Sequence, residues 1–206
     1  MSTNTQSERN PFNDPSLWLL LASNAATIFF ALKEGWSLSN VMWVYWFQSI
    51  IIGHFQFIRI WQLKEFTTDG FMVNDRPVQP TPGMNKGIAF LFLIHYGGFH
   101  LTYFFFLLGG IFPLLERGEP QSVDTKYIAL AAFLFFLNHL FSYFYNRSRD
   151  TKKQNIGQLM IYPYIRIFPM HLTIIFGAFF GGALFLFLIL KTVVDCLMHI
   201  QHHYIR

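Results

Sequence analysis

Six histidines stand in stretches of this chain where polar side chains are otherwise scarce: His54, His95, His100, His139, His171 and His199. Neutral imidazole is the commonest protein ligand for zinc, copper and iron, and three imidazoles with one carboxylate fill a zinc or iron shell without any thiolate. His54, His95 and His139 with Asp195 form the candidate shell, with His171 in reserve. An ion held there would activate water or oxygen, as a redox or hydrolytic enzyme requires. Asp195 would complete the shell or act as base, and Arg166 and Lys191 would hold an anionic group of a substrate. The same histidines suit haem iron as axial ligands, with His100 and His171 the candidates for holding such a cofactor. Phe-rich helices in a bilayer need no haem to explain them, so the bare ion (Zn, Fe or Cu) is the preferred reading.

The elements that must carry these residues are apolar runs. The chain of 206 residues is 53% hydrophobic and only 13% charged, with its apolar residues gathered into long stretches, which marks an all-α polytopic membrane protein of one domain. Phe90 to Gly110 is one such run, long enough for a bilayer crossing of roughly 20 residues, and it holds His95 and His100. An ionisable group at that depth is by default a functional candidate. Six spans are expected, at about 16–32, 39–61, 88–110, 126–145, 160–178 and 181–199. Within the second, Ser49 and Gly53 are four apart and let a neighbouring backbone come close. Within the fifth, Pro163 lies near the start and Pro169 further in, where it should bend the helix and free the carbonyl near Ile165. Gly177, Gly181 and Gly182 mark the turn into the sixth. The stretch from Gln62 to Lys86 is rich in glycine, proline and charge and reads as a solvated connector rather than a lid.

Charge sets the orientation. Placing both termini and the loops 62–86 and 146–158 on one side leaves only Lys33, Arg117 and Lys126 for the other, so both termini are expected inside a cytoplasmic membrane. The formal charge of +4 is thereby read as topology, and no nucleic-acid partner is expected. Cys196 stands alone and excludes an internal disulfide. Counting residues from the cytoplasmic ends puts His54, His95, His139, Arg166 and Asp195 in one layer, roughly 6 to 11 Å deep. His100, His171 and Lys191 form a deeper tier. Lys191, Asp195 and His199, at i, i+4 and i+8, make one polar stripe.

Other classes use these residues differently. An inward tier of His, Asp, Arg and Lys suits a proton path or an ion-coupled transporter, although no internal repeat is visible. A non-catalytic subunit of a larger membrane complex, or a homo-oligomer, also fits the small loops and aromatic content. For any single histidine, a hydrogen bond to a neighbouring helix is the plainest role.

In order, Tyr45-Trp46, His95-Tyr96-Gly97-Gly98-Phe99, Pro163-Tyr164-x-Arg166-Ile167 with His171, and Leu190-Lys191 followed by Asp195 and His199 resemble a family of small prokaryotic polytopic membrane proteins, a domain of unknown function. The resemblance spans the chain from the first apolar run to the tail. It implies a fold and a membrane location, and no activity. It also implies an acidic residue near Gln48, a charge this chain lacks.

Overall fold

The computed structural model describes Trp18, Leu21, Ala22, Ala25, Ile28, Phe29 and residues 32–108, 124–150, 154–180 and 183–204. Five long helices carry most of this: α1 (Leu38–Gln62), α2 (Met84–Leu108), α3 (Thr125–Asp150), α4 (Ile156–Phe180) and α5 (Ala183–Tyr204). The described residues from Trp18 to Phe29, with Leu32 and Lys33, are helical as well. By length and composition α1 and α2 are apolar enough to cross a membrane, and the apolar part of α3, Thr125–Phe141, is shorter. By that measure the described helices support two spans, not the six expected. The basic end of α3 and the Lys191–Asp195 pair of α5 make those two helices less uniformly apolar.

Helix α1 is the centre of the bundle, in contact with α2, α3 and α4, while α5 packs on α4. Its buried residues Leu38, Met42, Tyr45, Ser49, Gly53, Gln56 and Ile60 recur every three or four positions, which is one continuous face of a helix. Against that face lie Phe92 and Tyr96 of α2 and Ile156, Ile167 and Met170 of α4. At Gly53 the approach is so close that a Cβ would stand 2.4 Å from Cε1 of Tyr96. The expected small pair Ser49 and Gly53 thus meets α2, and Tyr96 donates its hydroxyl hydrogen to the Ser49 carbonyl at 2.9 Å.

Helix ends differ from expectation where caps decide them. Asn155 accepts from the Gln158 N–H at 3.1 Å, so α4 starts at Ile156, earlier than expected, and Pro163 sits inside the helix. Asp124 caps α3 in the same way through Tyr127 N–H at 3.0 Å. The basic run Asn146 to Asp150, expected as loop, continues α3, and Gly177, expected at a turn, lies within α4. The proposed turn residues Gly181 and Gly182 lie outside the described residues. Asn85, in the first turn of α2, donates through Nδ2 to the carbonyls of Trp61 and Leu63 at 2.9 and 3.1 Å, which satisfies the end of α1.

The connector between α1 and α2 is ordered by short strands. Strands β2 (Met72–Val73) and β3 (Arg76–Pro77) form an antiparallel hairpin turned by Asn74 and Asp75, at φ 51° and 61°, the left-handed pair that a two-residue hairpin turn needs. Strand β1 (Phe66–Thr67) pairs in parallel with β4 (Gln154–Asn155). Asn155 also donates to the Asp69 carbonyl at 2.8 Å, so one side chain both caps α4 and docks the connector on it.

Candidate functional site

The two prolines of α4 create the first demand on the site. Proline at 163 has no N–H for the Leu159 carbonyl, and proline at 169 likewise opens the ladder one turn before it. Helix α1 answers the first and bonds beside the second. Gln56 Nε2 donates to Leu159 O at 2.7 Å, and the Tyr45 hydroxyl donates to the carbonyl of Arg166, next to Ile165. Tyr45 and Gln56 are three helical turns apart and so share a face, while the carbonyls they serve descend α4 in the opposite direction, as antiparallel helices require. Phe187 of α5 closes over the Tyr45 ring, centroid to centroid 5.1 Å.

The histidines then find partners that are mostly tyrosines. His95 Nδ1 and the Tyr164 hydroxyl share a hydrogen bond of 2.7 Å between α2 and α4. His171 Nδ1 and the Tyr103 hydroxyl share one of 2.8 Å between the same helices. His139 turns inward on its own helix, with Nδ1 donating to the Phe135 carbonyl at 3.2 Å and its ring stacked 4.2 Å from that of Phe135. Asp195 pairs with Lys191 at 2.6 Å within α5, both partly exposed. Among the described residues no three His, Cys, Asp or Glu side chains converge as an ion shell. His54, His95, His139 and Asp195, expected at one depth, share no point among the described residues. The His199 side chain lies outside the described residues.

The deeper tier is more connected than the shallow one. His100 is buried, its ring 4.3 Å from that of Tyr96 and 6.2 Å from that of Tyr103, which in turn holds His171. Its Nδ1 lies 2.9 Å from the Tyr96 carbonyl, a group that can only accept, so Nδ1 carries the proton and the neutral ring keeps its lone pair at Nε2. That Nε2 is buried and has no hydrogen-bond partner among the described residues. The backbone of His100 is meanwhile pinned by Trp46, whose indole N–H donates to its carbonyl at 2.9 Å.

His100 forms part of the wall of a cavity of about 470 Å³ between α1 and α2, shared with Trp46, Gly53, His54, Tyr96 and Phe104. The rest of the lining is apolar or glycine. A family of unknown function (DUF6498) matches residues 6–206. The chain belongs to it. The match takes in every helix and every histidine described above, so the expected resemblance to a domain of unknown function holds, and the family carries no activity to transfer. No curated protein matches the chain, and no solved structure matches it.

Sequence reading placed His100 and His171 in one tier but missed Tyr96, Tyr103, Tyr164 and Gln56. A usable signal was present: Tyr96 and Tyr103 lie four before and three after His100, on its own face of α2. A second was that Pro163 inside a helix frees the Leu159 carbonyl for an outside donor.

Proposed function

We propose that the chain is a multi-pass protein of a prokaryotic cytoplasmic membrane, with six spans and both termini inside, which binds an apolar ligand within the bilayer in the α1–α2 cavity. One observation carries the ligand reading. The cavity of about 470 Å³ between α1 and α2 is lined almost wholly by apolar and aromatic groups, so an apolar molecule seated there gains burial at little polar cost. The bilayer reading is supported by apolar side chains facing outward: Phe90, Ile94, Leu101 and Phe105 on α2, Phe133 and Phe141 on α3, Phe168 on α4. Apolar area on that scale is stable against lipid and a liability against water.

A bare ion held by His54, His95, His139 and Asp195, with Arg166 and Lys191 on a substrate anion, would require side chains that meet at no common point among the described residues to converge. The ligand cavity requires no such convergence. The deciding experiment is organic extraction with mass spectrometry, together with elemental analysis, on protein purified in mild detergent without a histidine tag. An apolar small molecule near one equivalent, lost in a Gly97→Leu variant that fills the cavity, is the expected result. Near one equivalent of zinc, iron or copper that His95→Ala and His139→Ala each remove would replace the ligand reading with the metal one.

A further inference from the structure

An arginine within an apolar helix carries a charge that it cannot shed, because the guanidinium does not lose its proton in a protein. Arg166 is such a residue: it stands near the middle of α4, between Ile165 and Ile167, and is half-buried. A cation so placed is ordinarily met by a carboxylate, by carbonyls or by an aromatic face. Among the described residues Arg166 has none of these. Its guanidinium makes no hydrogen bond and no ion pair, and it lies over no aromatic ring. Asp195, whose charge acts on the Tyr45 phenol together with that of Arg166, is held instead by Lys191 at 2.6 Å. The hydroxyl hydrogens of Tyr45 and Tyr96 are spent on the carbonyls of Arg166 and Ser49. The unanswered charge is also reachable. The sealed side-chain polar atoms that lack a hydrogen-bond partner include His100 Nε2 but no nitrogen of Arg166, so each guanidinium nitrogen keeps accessible surface.

We infer that Arg166 is a binding site for one oxyanion, a carboxylate or a phosphate, which its planar fork of N–H donors holds through two parallel hydrogen bonds. The site stands apart from the α1–α2 cavity, whose wall does not include Arg166, and it needs no metal ion. Lys191, occupied by Asp195, is not required for it. The head of an anionic lipid and a soluble ion present the same oxygens, and the probes below separate the two sources.

The test uses full-length protein in detergent, with binding read as a shift in thermal unfolding over a titration. Palmitate is compared with hexadecanol, and phosphatidic acid with diacylglycerol of the same chains. Acetate and inorganic phosphate, at constant ionic strength, are the soluble forms of the two groups. The anionic member of a lipid pair is expected to bind about tenfold more tightly than its neutral counterpart, the worth of a charge-assisted hydrogen bond. In Arg166→Gln that ratio should fall to about one. This variant keeps the backbone carbonyl that Tyr45 holds, and Arg166→Lys, which keeps the charge without the fork, should lower the ratio only in part. Gly97→Leu should leave it unchanged, because the cavity is elsewhere; a ratio lost in that variant would place the anion in the cavity and overturn the Arg166 site. Preference within the lipid pairs without a response to acetate or phosphate identifies a lipid head. A response to the soluble ions that Arg166→Gln abolishes identifies a soluble anion. A preference that survives in both Arg166 variants, or no difference within either pair and no response to the soluble ions, would overturn the site.

Discussion

At the scale of single residues, the telling position is Gly53. Tyr96, whose ring a Cβ at that position would strike, is buried and tethered by its hydroxyl to Ser49, so it cannot swing aside. Gly53→Ala is therefore expected to cost about 1–3 kcal/mol, seen as a lower unfolding midpoint in detergent. An unchanged midpoint would mean that α1 and α2 do not meet at Gly53. The need for a small residue there was legible from the Ser49–Gly53 spacing alone. The partners of the histidines were not. Spacing along one helix tells which side chains share its face, but which atoms they meet depends on the register between helices, and that is set by contacts such as Trp46 on His100 and Tyr96 on Ser49. Equal depth therefore predicted a shared ion, where the packing instead paired His95 with Tyr164 and His171 with Tyr103.

At the scale of elements, α1 and α4 are joined by a bond that exists because of proline. Gln56→Ala strips the Leu159 carbonyl of its donor and should destabilise by about 1–3 kcal/mol. In a Pro163→Ala background the restored N–H serves that carbonyl, so the same Gln56→Ala change should cost far less. A double-mutant cycle by thermal or denaturant unfolding measures the difference, and strict additivity would refute the pairing. Asn155→Ala should cost about 1 kcal/mol for the lost cap and also speed hydrogen exchange in Phe66 and Thr67, because that side chain holds the connector as well. The helices themselves were readable as apolar runs. Their ends were not, since Asn155 and Asn85 act as caps only once distant segments arrive beside them.

At the scale of the whole molecule, the six-span arrangement proposed above would place the Asn74–Asp75 hairpin tip on the cytoplasmic side. A cysteine placed at exposed Asp75, with Cys196 replaced by serine, should be labelled by a membrane-impermeant maleimide in inside-out vesicles and spared in right-side-out ones. Labelling in the opposite sense would invert the topology, and labelling in both would argue against a sealed membrane location. The hairpin belongs to the connector whose strand β1 lies beside β4, a partner that the ribosome delivers only after α2 and α3 have been made. During synthesis the connector must therefore wait with one strand open until α2 and α3 have been made. That parallel pair is a latch whose second half the chain's own later part supplies.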